Sequence, residues 1–113
     1  MTTSKYELDL RPALFKFEER RLSIPQFAAI IASKLDELAR WARFSGEEQD
    51  AQTIQDLWER FDFISGDTSA TDEEVDDALE SLYDWADSPA SFDAQGQPVR
   101  GEILCRVRND AVI

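Results

Sequence analysis

Residues 23–44, SIPQFAAIIASKLDELARWARF, decide the fold class of this 113-residue chain. Their large apolar side chains recur at helical spacing, with charged residues on the other side. These apolar residues are Phe27, Ile30, Ile31, Leu35, Leu38 and Trp41. Ser23 is a good N-cap, the proline two residues later suits a first turn, and Gln26 completes a capping box. The stretch therefore predicts a long helix that ends near Phe44, with Gly46 supplying a permissive backbone after it.

A shorter helix is predicted before this stretch. One apolar stripe at helical spacing is formed by Tyr6, Leu10, Leu14 and Phe17. Because proline is accommodated in the first turn but not in a helix interior, Pro12 places the start near Arg11. We expect this helix to stop around Arg20–Arg21.

Two more helices are predicted after it. The third should run from near Glu47 to about Ile64, and its apolar face consists of Ile54, Leu57, Trp58 and Phe61. Residues 71–74, TDEE, form a second capping box and start the fourth. The apolar stripe of the fourth helix consists of Val75, Leu79, Leu82 and Ala86. It should end before Pro89, since the residue before a proline disfavours helical geometry.

The C-terminal segment changes period. Residues 99–108 alternate apolar and polar side chains, which predicts one strand, and residues 93–96 can supply a turn before it. A lone strand cannot satisfy its backbone, so its partner should be a short hairpin arm at residues 90–92 or another subunit. The predicted fold is mainly all-α: one domain over residues 1–113, built as a four-helix bundle, with residues 90–113 as an extended tail.

Composition excludes several classes of protein. Hydrophobic residues make up 42% of the chain, which is too much for a disordered protein. The longest apolar run, residues 27–32, is too short to cross a bilayer, and the first twenty residues are too charged for a signal peptide. The single cysteine, Cys105, cannot form an internal disulfide. A cytoplasmic protein without membrane contact is expected, as a monomer or homodimer.

Catalytic and metal chemistry has little support. The chain has no histidine, which removes the commonest general base and transition-metal ligand. Cys105 falls on the apolar side of the predicted strand, which favours a packed thiol. A calcium loop starting at Asp67 would need glycine where Asp72 stands and glutamate where Ala78 stands. We therefore expect no enzyme, no cofactor and no metal site.

The charge of −12 is concentrated in one segment. Residues 47–94 contain sixteen acidic residues and a single basic one, Arg60. Such a field should repel nucleic acid and membranes and attract a basic partner. The simpler alternative is that acidic surface only confers solubility.

An acidic stripe on the predicted fourth helix is the most specific functional signal. Its members, spaced by four and three residues along one helix face, are Glu73, Asp77, Glu80, Asp84 and Asp87. Asp72 and Asp76 flank the stripe, and no Lys or Arg occurs from residue 66 to residue 92. Because like charges at these spacings weaken an isolated helix, a complementary basic partner is a reasonable explanation.

Neighbouring residues extend this prediction. Tyr83 and Trp85 lie beside the stripe, and Trp85 is the one expected in the core. If the third and fourth helices are neighbours, Asp56, Glu59 and Asp62 would enlarge the acidic patch. The predicted partner-binding residues are Glu73, Asp76, Asp77, Glu80, Tyr83, Asp84 and Asp87.

The residues at 22–27 (LSIPQF), Leu57-Trp58, 71–74 (TDEE) and 79–87 are arranged as in one known family. Over roughly residues 10–90 the chain resembles the small acidic immunity proteins of colicin D type, and the strand-like tail lies outside the resemblance. The resemblance implies a helical bundle that blocks the active site of a basic tRNA-cleaving toxin with acidic side chains.

Three functions are therefore considered. The first is a non-catalytic inhibitor or immunity protein that blocks a basic nuclease-type toxin. The second is a phage-encoded nucleic-acid mimic, of anti-restriction or anti-CRISPR kind, whose carboxylates replace phosphates. The third is a structural or assembly protein that pairs through its C-terminal strand.

Overall fold

The computed structural model describes residues 6–88, 92–101 and 103–108, and it is mainly helical. The elements in chain order are β1 Tyr6–Asp9, α1 Arg11–Glu18, α2 Ile24–Phe44, α3 Glu48–Ser65, α4 Asp72–Ala86, β2 Val99–Arg100 and β3 Ile103–Arg106. The mainly helical class is confirmed, whereas the packing of the four helices as one bundle stays a prediction.

The long helix α2 begins and ends as its sequence predicts. The Ser23 hydroxyl accepts from the Gln26 amide at 3.3 Å, and the Gln26 side chain accepts from the Ser23 amide at 2.9 Å. Both hydrogen bonds of the capping box are therefore present. After Phe44 the chain turns away at Gly46, whose φ of +82° is a left-handed conformation open to glycine.

The core is built around α2, which packs along α3 and also contacts α1, α4 and β1. Its largest fully buried side chains are Phe27, Phe61, Leu8, Leu10, Ile31, Leu35, Leu38, Ile54, Leu82 and Ile103. Residues from every helix and from β1 and β3 thus share one apolar cluster. Two residues of the predicted α2 stripe, Ile30 and Trp41, are only partly buried at its border.

The predicted C-terminal strand is paired within a three-stranded sheet, and its main partner is a strand near the N-terminus. The order of the sheet is β1–β3–β2, with β1 parallel to β3 from Tyr6 opposite Ile103 to Asp9 opposite Arg106. The assignment of Tyr6 to a helical stripe was therefore wrong, and the sequence did not predict β1 as a partner of the C-terminal strand. The regular helix starts at Arg11, as predicted.

The predicted C-terminal strand is in fact two strands. Gly101, with a φ of +56°, lies in a turn between β2 and β3, and a side chain there would collide with the Glu47 carboxylate. The alternation continues through this turn, so a period of two alone cannot reveal the break. The turn at residues 93–96 is confirmed, since the Gly96 amide donates to the Asp93 carbonyl at 3.0 Å.

The proposed hairpin arm is only partly described. Phe92 pairs with Pro98 in a single antiparallel bridge, while residues 90 and 91 lie outside the described residues. The tail is not a detached extension, because Ile103, Cys105 and Val107 are all in the main core. None of the helices in the described part of the chain combines the length and apolar character needed to span a bilayer.

Candidate partner-binding surface

Helix α4 is capped at its start and packed against the core along its inner side. The Thr71 hydroxyl accepts from the Glu74 amide at 3.3 Å, and the Glu74 carboxylate accepts from the Thr71 amide at 3.0 Å. Three acidic residues in the first turn suit the positive end of the helix dipole. The inner side is buried and consists of Val75, Ala78, Leu79, Leu82, Trp85 and Ala86. This burial directs the intervening polar residues to the surface.

The outward side carries most of the predicted binding residues. We call it the acidic face, and it consists of Glu73, Asp76, Asp77, Glu80 and Asp84, all exposed. The remaining two predicted residues, Tyr83 and Asp87, are half-buried at the C-terminal end of α4. Trp85, expected in the core, is 7% exposed.

The structure shows ion pairs at the two ends of α4 but none to the acidic face among the residues it describes. Within residues 6–88, 92–101 and 103–108, no ion pair reaches any of its five carboxylates. The ion pairs that α4 and its C-cap do make are at the two ends: Asp72 with Arg20, at 3.8 Å, and Asp87 with Arg108. Among the described residues, the carboxylates between these ends therefore face solvent without an ion-pair partner.

The C-terminal end of this surface already holds an arginine from the same chain. The Arg108 guanidinium lies 4.5 Å from the centre of the Tyr83 ring and forms an ion pair with Asp87. Two of the predicted partner-binding residues are thus engaged within the molecule. The contact shows that the Tyr83 ring and the carboxylate at the C-cap of α4 together accommodate a guanidinium.

A second arginine of the tail joins α3, α4 and β2. Arg100 donates to Asp50 Oδ1 at 3.0 Å and to the Trp85 carbonyl at 3.2 Å, and it lies over the Trp85 ring. The Trp85 indole N–H also donates to Asp50, at 3.3 Å. We call these three residues the Asp50 cluster. Sequence reasoning missed it, because nothing in the spacing of the three residues links them.

On one side of the acidic face, α3 and α4 border a groove of about 330 Å³. Its lining residues are Asp56, Glu59, Arg60, Phe63, Ile64, Glu74 and Asp77. Asp56 and Glu59 therefore extend the acidic patch as predicted, while Asp62 is exposed but does not line the groove. Arg60 introduces a positive charge here and donates to the Ser81 hydroxyl at 2.8 Å.

On the other side, α1 and α4 border a groove of about 400 Å³. Its lining residues are Leu14, Phe17, Glu18, Asp76, Asp77, Leu79, Glu80 and Tyr83. The contribution of α1 to this surface was not predicted. An apolar residue followed by an acidic one, Phe17 and Glu18, is visible in the sequence at the end of α1. Only the tertiary structure shows that this pair lies beside α4.

The Cys105 thiol and the Tyr6 hydroxyl, whose pKa values are both raised, lie outside the acidic face. Burial raises the pKa of the Cys105 thiol to about 12, so it stays protonated and un-nucleophilic at neutral pH. The packed thiol predicted from the sequence is confirmed. Burial and a hydrogen bond to Glu37 raise the pKa of the Tyr6 hydroxyl to about 12. Tyr6 lies on β1, at one edge of the sheet. Within the described ranges, no cluster of three or more His, Cys, Asp or Glu could hold a metal ion.

Comparison with known proteins adds no relative: no protein-family model, curated protein or solved structure matches the chain.

Proposed function

We propose that this protein is a non-catalytic inhibitor that binds a basic, nuclease-type protein through the acidic face of α4 and blocks it. The observation that carries the proposal is the set of five exposed carboxylates on one capped helix, with no ion pair to them among the described residues. A face selected only for stability would interleave both charge signs. The proposal agrees with the resemblance to colicin D-type immunity proteins and with action in the cytoplasm.

The physical advantage of such a face is fast and selective encounter. A concentrated negative field steers a positively charged partner toward the correct side of the molecule and raises the association rate. Because the backbone of α4 is fixed by its cap and its buried side, the carboxylates are held close together before binding. Little ordering of the helix is then needed on association.

A nucleic-acid mimic is the second candidate. Its support is the second row of carboxylates, in which Asp56 and Glu59 face α4 across a groove. Two acidic rows can imitate the phosphates of two strands. The apolar residues that line both grooves, such as Phe63 and Phe17, favour a protein surface that includes apolar side chains over a pure phosphate-binding cleft.

Assembly through the C-terminal strand has less support. That hypothesis needs an unpaired strand, but β3 lies between β1 and β2 and is paired within the chain on both sides. The tail arginines also make intramolecular contacts, with Arg100 bound to Asp50 and Arg106 to Glu7.

The test is affinity capture from the native host with three baits. One is the wild type, one is the variant Asp77→Asn, Glu80→Gln, Asp84→Asn (the α4 triple), and one is Asp56→Asn, Glu59→Gln, Asp62→Asn (the α3 triple). We expect a basic protein that the wild type and the α3 triple retain and the α4 triple loses. Its nuclease activity should be inhibited by added wild-type protein. A captured protein without nuclease activity, or one retained equally by all three baits, would contradict the proposal.

A further inference from the structure

The two grooves beside the acidic face differ in the charges that line them. The α3–α4 groove contains Arg60 among its acids, whereas all the charged residues that line the α1–α4 groove in the described part of the chain are acidic. The acids of the α1–α4 groove are Glu18, Asp76, Asp77 and Glu80. A basic ligand is therefore less favoured beside Arg60 than between α1 and α4, where the Arg108 guanidinium at the groove edge is paired with Asp87.

The floor of the α1–α4 groove is apolar. It is formed by Leu14, Phe17, Leu79 and Tyr83. Phe17 stacks on the fully buried Phe27 of α2, with ring centroids 4.3 Å apart. The floor is thus anchored to the core through α2. The groove, at about 400 Å³, lies at the small end of the range of about 300–1,000 Å³ for ligand pockets. A groove of this size suits one or two large side chains.

An apolar floor with an acidic rim fits a ligand that has both apolar and basic side chains. We propose that the α1–α4 groove seats a basic amphipathic segment of the protein partner, with a large apolar side chain on the floor and Arg or Lys at the rim. This inference rests on the proposed function and specifies which part of the partner binds. Arg108 provides an example within the molecule, because its guanidinium packs on Tyr83 at the edge of this groove and pairs with Asp87.

The rim and the floor would contribute differently. Rim carboxylates act over distance and are screened by salt, so they chiefly set the association rate. The apolar contact is short-ranged and insensitive to screening, so it chiefly sets the dissociation rate. A polyanion would be repelled by the rim, and an uncharged apolar ligand would gain nothing from it.

The experiment titrates the full chain with three short synthetic helical peptides. The first carries Leu and Phe on one face and Arg on the other. The second replaces Leu and Phe with Ser at equal charge, and the third replaces Arg with Glu. Amide chemical shifts of the ¹⁵N-labelled protein locate binding, and calorimetry measures affinity. Changing the peptide tests the floor without any risk of unfolding the protein.

We expect the first peptide to shift amides at residues 14–18 and 76–83 and the Ser peptide to bind about tenfold or more weakly. The Glu peptide should not bind. The rim variant Glu18→Gln, Asp76→Asn should weaken the first peptide about threefold or more at low salt. The matched variant Glu48→Gln, Asp62→Asn, at two exposed acids that line neither groove, should leave its affinity within twofold.

Three results would overturn the groove assignment: no binding of the first peptide, equal affinity of the Leu/Phe and Ser peptides, or shifts centred on Phe63. The proposed function would survive them if the α4 triple still lost the captured partner while the Glu18→Gln, Asp76→Asn variant kept it. If the α4 triple kept the partner as well, both proposals would fail.

Discussion

Asp50 and Asp77 belong to the same acidic segment of the chain, yet their surroundings are opposite. The Asp50 carboxylate is 14% exposed and accepts from Arg100 and from the Trp85 indole. Asp77 is exposed and, among the described residues, has no ion pair. The first carboxylate holds α3, α4 and β2 together, while the second adds charge to a surface without stabilising it. Charge pairing, more than charge itself, separates structural carboxylates from candidate binding carboxylates.

The largest expected effect concerns the structural side of this comparison. Deleting residues 97–113 removes β2 and β3, leaves β1 without a partner and takes Ile103, Cys105 and Val107 from the core. The loss should be about 5 kcal/mol or more, which is comparable with the whole stability of a small domain. Urea unfolding followed by circular dichroism should lose its cooperative transition. A truncated chain that unfolds like the wild type would show that the tail is only an appendage.

A smaller effect is expected from the Asp50 cluster alone. Asp50→Ala leaves the guanidinium of Arg100 and the indole N–H of Trp85 without their shared acceptor. We expect a decrease of about 2–3 kcal/mol in the free energy of unfolding. The control is Glu59→Ala, an exposed acid on the same helix, which should change it by less than about 0.5 kcal/mol. Equal effects would remove the distinction between paired and unpaired acids.

Asp9 is an intermediate case, paired but near the surface. A hydrogen bond from Arg11 is the main cause that lowers its pKa below the ordinary 3.8. Because the folded-state pKa is the lower one, the stabilisation is complete above the unfolded pKa. It is lost as pH falls through the folded value. Asp9→Asn should lower stability by about 0.2–1 kcal/mol at neutral pH and by nothing in strong acid. Urea midpoints across this pH range provide the measurement, and a constant difference would contradict the pairing.

The smallest effect on stability is expected on the acidic face. The α4 triple keeps side-chain shape and removes three mutually repelling charges. The free energy of unfolding should stay the same or rise by a few tenths of a kcal/mol. Thermal unfolding at low salt gives the most sensitive comparison with the α3 triple. A clear loss of stability would mean that these carboxylates have a structural role.

Local signals predicted the helices well. The capping boxes at Ser23 and Thr71 fixed two helix starts, because a cap depends only on residues three apart in sequence. The strand β1 was not predicted from the sequence, although Leu8 and Leu10 alternate with charged neighbours. Four residues are too few to separate a strand from a helix by period, and the partner β3 is almost the whole chain away.

The candidate site was predictable only in part. Helical periodicity placed Glu73, Asp77 and Glu80 on one face, and this needs no tertiary information. The grooves require knowing which helix lies beside α4, so the role of Phe17 could not be read from its own surroundings in sequence. The contact of Arg108 with Tyr83 could not be predicted either, because it depends on how the C-terminal segment packs beside α4.

The association rate of the captured basic partner, measured against salt concentration, tests the central claim most directly. Stopped-flow or surface-binding kinetics would compare the wild type with the α4 triple and the α3 triple, which lose the same charge from different helices. We predict that the α4 triple associates about tenfold more slowly at low salt, with a flatter salt dependence, and that the α3 triple is affected less. Equal rates for the two triples would show that only net charge matters, and a rate equal to that of the wild type would exclude the acidic face as the binding surface.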